Sequence, residues 1–309
     1  MAGLSVVFVL GSGREALAQD RTEKAVAPSA RLEAGDRTRP DFSVRLRADG
    51  EHAFTSNVDE AGDVSITRAT GELSFDFKIF DQTRMGLDWK SERSWYNFDG
   101  ATGFAAGFDA PWGDTQQHEV GLSFLGRVND NWGWFARGFV NSSFEDDADF
   151  GDSITGGGGG GAQYRFSDTF ALSGGLLVVS RLEDQVAVFP LIGIDWKITD
   201  TLKLESRGLG ARLSSTLSDA ATLYLQGGYE TRDFRLDDEG AAPGGVGRDR
   251  RVPIFVGLDY AFEKSVTLGL RAGVYAWNEY RLEDQGGVKL SELDGDPQPF
   301  VGLSVEVVF

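Results

Sequence analysis

The 309-residue chain has no cysteine, only two histidines, and no long apolar run. The absence of Cys excludes disulfides, thiolate metal sites and a Cys nucleophile. His52 and His118 leave little from which to build a His-ligated metal centre. No stretch reaches the roughly 18 apolar residues that a transmembrane helix needs. That does not exclude a membrane protein, because a β-barrel crosses with short alternating strands that hydropathy overlooks. Basic residues are in deficit, 30 Lys and Arg against 48 Asp and Glu, giving a formal charge of −18. This balance argues against nucleic acid, whose phosphates favour a basic surface. Glycine, by contrast, is abundant at 41 residues, nearly twice the usual ~7%.

The N-terminus has the pattern of an export signal. Leu4 to Leu10 is a short apolar run, and Ala16-Leu17-Ala18 supplies a small-x-small cleavage pattern. No Lys or Arg precedes the run, and the alternative is a buried strand or helix. Residues 1–18 are therefore expected to be a signal peptide. Residues 19–41, charged and aperiodic with Pro28 and Pro40, are expected to be a flexible periplasmic lead-in. At the other end Val301, Leu303, Val305, Val307 and Phe309 alternate with Gly302, Ser304, Glu306 and Val308. A period of two puts the two sets on opposite faces of a strand. This segment, ending on an aromatic, resembles the terminal strand of bacterial outer-membrane barrels, in which Phe309 would be the signal read by the barrel-assembly machinery.

The same alternation recurs at Met85–Trp89, Val120–Phe124, Ile192–Ile198, Val252–Phe262 and Val266–Val274. Small polar turns such as Asn129-Asp130-Asn131, Ser167-Asp168-Thr169 and Thr199-Asp200-Thr201 separate these runs and suit tight hairpins. Longer acidic or Gly-rich connections lie at 99–114, 145–152, 236–250 and 283–298. The whole predicts a closed antiparallel transmembrane β-barrel over 42–309, with short periplasmic turns and longer extracellular loops. Strands are expected near 42–56, 62–79, 84–98, 115–129, 132–145, 152–166, 170–182, 186–198, 201–207, 209–217, 220–236, 250–262, 266–281 and 299–309. That makes fourteen, with twelve the alternative; the two short strands meeting at Arg207-Gly208-Leu209 are the weakest part. Gly156 to Gly161 are followed by no phosphate-binding helix, so they predict a strand where bulk is forbidden, at a bend or against a folded-in loop.

Strand parity places Asp88, Lys90, Glu119, Arg127, Asp195, Lys197, Glu230, Arg232, Asp259 and Arg271 toward the lumen. Such charges either sort solutes across a polar channel or pair with one another and fill it. A repeat, Arg181-Leu182-Glu183-Asp184, Arg235-Leu236-Asp237-Asp238 and Arg281-Leu282-Glu283-Asp284, marks three strand tops. Its simplest reading is a rim Arg with solvated acids beyond; Ca²⁺ binding is the alternative. His118 has lipid-facing parity near a strand top but no evident Ser partner, so no catalytic residue is assigned. No cofactor and no metal is expected.

Phe189-Pro190-Leu191-Ile192-Gly193-Ile194-Asp195-Trp196, Leu202-Lys203-Leu204-Glu205, Gly228-Tyr229-Glu230-Thr231-Arg232 and the C-terminal strand carry a resemblance over roughly the last 140 residues. They resemble an uncharacterised family of bacterial outer-membrane β-barrels. The resemblance implies fold and compartment, with outer-membrane lipids as surroundings, but no substrate. The expected role is a passive or weakly cation-selective pore, or a structural barrel. A rim-sited lipase or protease and a soluble periplasmic β-protein are the alternatives.

Overall fold

The computed structural model describes residues 40–58, 62–104 and 107–309; the expected signal peptide and residues 19–39 of the expected lead-in lie outside them. From the periplasmic turns upward, the strands are β1 (Phe42–Asn57), β2 (Asp63–Phe80), β3 (Thr83–Asp99), β4 (Thr115–Arg127), β5 (Trp132–Glu145), β6 (Ile154–Ser167), β7 (Phe170–Arg181) and β8 (Asp184–Lys197). They continue as β9 (Leu202–Arg207), β10 (Gly210–Ser218), β11 (Ala221–Gly227), β12 (Glu230–Arg235), β13 (Val246–Glu263), β14 (Val266–Glu283), β15 (Lys289–Gly295) and β16 (Gln298–Val308).

These sixteen segments make a closed antiparallel barrel of fourteen staves. β11 and β12 are one stave, broken at Gly228-Tyr229, since both pair with β13, at Tyr260–Ile254 and Arg251–Val246 respectively. β15 and β16 are likewise one stave along β14. The wall closes where β1 pairs β16, from Arg45↔Val308 to Ala53↔Phe300. Phe309 adds a last rung: its N–H donates to the Val44 carbonyl at 2.9 Å, and Val44 N–H donates back at 3.2 Å.

Parity sorts the wall as alternation requires. Ile254, Val256, Leu258, Tyr260 and Phe262 of β13 face out, as do Val301, Leu303 and Val305 of β16. Near the periplasmic end, aromatic rings form a girdle: Trp132–Tyr164 at 4.8 Å, Tyr164–Phe166 at 4.7 Å, Phe166–Phe170 at 5.5 Å and Phe170–Trp196 at 6.2 Å. Aromatic girdles of this kind sit at membrane–water interfaces. The turns below are held by their own side chains: Asn129 Oδ1 accepts from the N–H of Asn131 and Trp132, both at 2.9 Å. Thr199 Oγ1 does the same for Thr201 and Leu202. An apolar outer belt on a closed barrel is the architecture of the bacterial outer membrane.

The glycine run is strand β6. A Cβ on Gly157 would lie 2.7 Å from the Phe139 ring, and one on Gly161 2.7 Å from that of Phe135. Both would also strike the β7 backbone, at Val178 and Gly174 carbonyl oxygens 2.7 and 2.2 Å away. The strand is bare so that neighbouring rings can lie across it.

Candidate functional site

The lumen has two unlike faces beneath a cap. One face is charged and draws on β1–β5 and β9–β14. Arg137 of β5 donates to both oxygens of Asp88 (2.9 and 2.8 Å) and to Glu119 (2.9 Å). Arg232 donates to Glu92 at 2.6 Å and to Glu230 at 3.1 Å. Arg271 holds Asp49 at 3.0 Å and Glu51 at 3.2 Å. Arg212 donates to Asp259 at 2.6 Å with its guanidinium 3.4 Å from the Tyr224 ring centre. A polar cavity of about 350 Å³ remains among them. Seven basic side chains line it (Arg47, Arg68, Lys90, Arg207, Arg212, Arg232, Arg271), matched by seven acidic ones (Asp49, Glu51, Glu72, Glu92, Glu119, Glu230, Asp259). The wall is thus charged but balanced.

Of the residues that parity assigned, Lys90, Glu119, Glu230, Arg232, Asp259 and Arg271 border this cavity, and Asp88 is tied to Glu119 through Arg137. Asp195 and Lys197 stand apart, in a periplasmic vestibule of about 540 Å³, paired with Lys203 (3.1 Å) and Asp200 (2.7 Å). Arg127 ends β4 and borders neither space.

Above the cavity lies a buried cluster that the sequence did not reveal. Asp249 accepts from Arg251 (2.6 and 2.8 Å), Arg68 (2.7 Å) and Tyr96 (2.7 Å). The Arg251 guanidinium stacks 4.6 Å from the Tyr275 ring, and the Tyr275 hydroxyl bonds Glu51. Asp249 and Arg251 lie in the Gly247-Arg248-Asp249-Arg250-Arg251 stretch, whose charge disguised it as loop; β13 in fact begins at Val246 rather than 250.

Over this floor sits an aromatic cap. The connection after β3 folds inward and plants Trp112 among Phe234 (5.2 Å), Phe98 (5.4 Å), Tyr96 (5.8 Å) and Phe104 (5.9 Å). Glu145 fixes both ends of the cap by accepting from the N–H of Gly113 (2.5 Å) and of Asp237 (3.1 Å). The aromatic cluster therefore obstructs the barrel axis on the extracellular side.

The three repeats hold this end together: Glu183, Asp184 and Asp238 are exposed at the rim as expected, while the leucines and Glu283 are buried. Leu182, Leu236 and Leu282 are all buried, the last two in the cap core. Arg235 of the second repeat donates to Glu183 of the first at 2.6 Å. Glu283 of the third accepts from Arg248 at 2.7 Å and pairs Arg281 at 2.9 Å. Glu183, Asp184 and Glu283 pair with arginines, Asp237 and Asp284 accept from backbone N–H groups, and among the described residues no set of three or more His, Asp and Glu is arranged to hold a metal.

The second face of the lumen is apolar. Phe135 and Phe139 of β5, Leu177 and Val179 of β7 and Leu191 of β8 form one buried cluster, flanked by Phe189 and by Leu209 at the β9–β10 tip. Beside it the wall is interrupted. β8 and β9 share only three register pairs, Asp195↔Glu205 to Lys197↔Lys203. Ser142 stands across the ladder from His118, but its hydroxyl engages Ser153 at 2.6 Å, and among the described residues no His–Ser hydrogen bond forms.

The fold and site define a capped outer-membrane β-barrel. No family model and no curated protein matches the chain, so the family resemblance rests on the residues that suggested it. Among solved structures, it is similar to an outer membrane channel from Pseudomonas putida F1, at 13% identity and TM-score 0.49, covering 90% of this chain and all of that one. It is also similar to a Pseudomonas aeruginosa FadL homologue, at 13% identity and TM-score 0.47, over 94% of this chain and 96% of the other. A third is the P. putida toluene transporter TodX, at 11% identity and TM-score 0.42, over 87% and 90%.

Proposed function

We propose that this barrel is a passive channel for small polar solutes, weakly favouring cations, whose aqueous path is the charged lumen and whose extracellular end is narrowed by the Trp112 cap. The observation that carries this reading is the 350 Å³ polar cavity left open among paired side chains. A purely structural barrel could fill that space. Because acids and bases balance around the cavity, the cation preference would come from the chain's −18 charge acting at the mouths, and it would be weak. Phe309 would be the assembly signal as well as the last rung of the seam.

Conductance of the refolded protein in planar bilayers tests this. The wild type should pass small currents that favour cations at low salt. The preference should fade as the Debye length contracts from ~30 Å at 0.01 M to ~3 Å at 1 M. The double variant Phe104→Ala, Trp112→Ala should raise the current. No conductance in either folded protein would leave the structural reading in its place, and anion preference would defeat the electrostatic argument.

A further inference from the structure

We infer that Glu205 of β9 is the crossing point of the aqueous path: solutes pass this side chain between the periplasmic vestibule and the lumen cavity, and its charge decides which ions cross. The inference rests on the channel reading above and adds where the path runs and what controls it.

The two polar spaces meet along one narrow part of the wall. The vestibule is bordered by β6–β10, and the cavity by β1–β4, β9–β14 and β16. Among the described residues only β9 and β10 border both. On β9, Lys203 lines the vestibule and Arg207 the cavity, while Glu205 lies between them and lines neither. On β10, Thr216 lines the vestibule and Arg212 the cavity. The register agrees: Glu205 stands opposite Asp195, a vestibule residue, on one side and Arg212, a cavity residue, on the other. Alternation puts Lys203, Glu205 and Arg207 on one face of β9. That is the lumen face, since the first and last of them line its two spaces.

The neighbouring way up is barred to ions. Above the vestibule, Leu177 of β7 and Leu191 of β8 join Phe135 and Phe139 in the buried apolar cluster. An ion entering there would lose its hydration and gain no partner. Charged and strongly polar solutes are therefore directed along β9 and β10.

The contacts of Glu205 suit a crossing point. Its carboxylate accepts from Lys203 Nζ on the vestibule side at 2.5 Å and from Arg207 Nε on the cavity side at 2.8 Å. The Glu205 side chain is only 8% exposed, against 26% for Lys203 and 39% for Arg207. The carboxylate is thus enclosed, while the cations it holds reach into open space. Asp195 also takes Lys203, at 3.1 Å. Two acids and two bases make the crossing neutral. In the wild type it adds no preference of its own and leaves the weak cation bias to the mouths. Neutralising Glu205 would leave one cation uncompensated, in a buried place where salt screens little. Fixed charge at a constriction selects ions of the opposite sign.

Reversal potentials of the refolded full-length barrel, measured in planar bilayers under a potassium chloride gradient, test this. Glu205→Gln should shift the ratio of cation to anion permeability several-fold toward anions. The shift should persist at about 1 M salt, where the bias from the mouths has faded. Glu205→Asp, which keeps the charge, should keep the wild-type ratio. The chain has no cysteine, so Glu205→Cys introduces a single thiol. Its modification by sulfonatoethyl methanethiosulfonate, an anion, should return the ratio toward wild type; the trimethylammonioethyl reagent, a cation, should push it further toward anions. If the Glu205 variants fail to insert, Lys203→Gln and Arg207→Gln decide the matter, and each should shift the ratio toward cations. A ratio unchanged at high salt in inserted Glu205→Gln, or in both cation variants, overturns the crossing point, while a conducting wild type keeps the channel reading. An introduced thiol that neither reagent modifies overturns it too. No current through the folded wild type removes the channel reading, and the crossing point with it.

Discussion

At the scale of single residues, parity is the strongest lever. Leu258 faces lipid, and an Arg there costs ~2–4 kcal/mol near the bilayer midplane. Asp259 is its neighbour on the lumen face, paired with Arg212. Leu258→Arg should therefore sharply lower the yield of heat-modifiable, membrane-inserted barrel, while Asp259→Asn should leave it within about two-fold. Equal losses would mean that the register of β13 is wrong. Asp249 makes a different demand. It is the counter-ion of two buried arginines, Arg68 and Arg251. Removing one partner from such a cluster typically costs 3–5 kcal/mol, so Asp249→Asn should lower the urea midpoint of unfolding by a corresponding amount, read by gel mobility. A midpoint within error of wild type would show that the floor of the cap is looser than its geometry.

At the scale of elements, β6 carries the sharpest expectation. Gly161→Ala puts a methyl where the Gly174 carbonyl oxygen would be 2.2 Å away. The backbones of β6 and β7 would have to part, at about 1–3 kcal/mol, and the barrel should lose thermal stability. Gly138→Ala, whose nearest neighbour stands at 3.9 Å, is the matched control and should not. The sequence made most elements legible because half-buried strands write a period of two. It failed where that contrast is lost. The start of β13 is a run of charges that the fold buries and neutralises, so it looks like solvent-exposed loop. Trp112 is one aromatic in an aperiodic connection, and nothing local says that it turns inward. The meeting point at 207–209 stood out as irregular, but only the register of β8 against β9 reveals a break in the wall. Likewise the three repeats were visible as a pattern, while their buried leucines and exchanged ion pairs depend on strands far apart in the chain.

For the whole molecule, charge and closure act on different surfaces. The 48 acids and 30 bases give a strongly negative protein, yet the cavity wall is even-handed. Surplus acid therefore sits outside the cavity, and selectivity measured at low salt should respond to loop substitutions such as Asp238→Asn with Glu239→Gln more than to Glu119→Gln. A larger effect from Glu119 would place the filter inside.

The seam between β1 and β16 has a consequence in time. The two strands that shut the wall come from opposite ends of the barrel sequence. Loop-closure entropy must be overcome before such distant contacts give any return, so topologies of this kind fold slowly. Until the rung at Val44 and Phe309 forms, β1 and β16 each expose an unpaired edge, the form in which strands aggregate. The chain must therefore be shielded through nearly its whole passage to the membrane. A deletion of Phe309 should prolong that vulnerable interval, increasing degraded or aggregated protein in pulse-chase experiments while leaving the melting of those barrels that do close little changed.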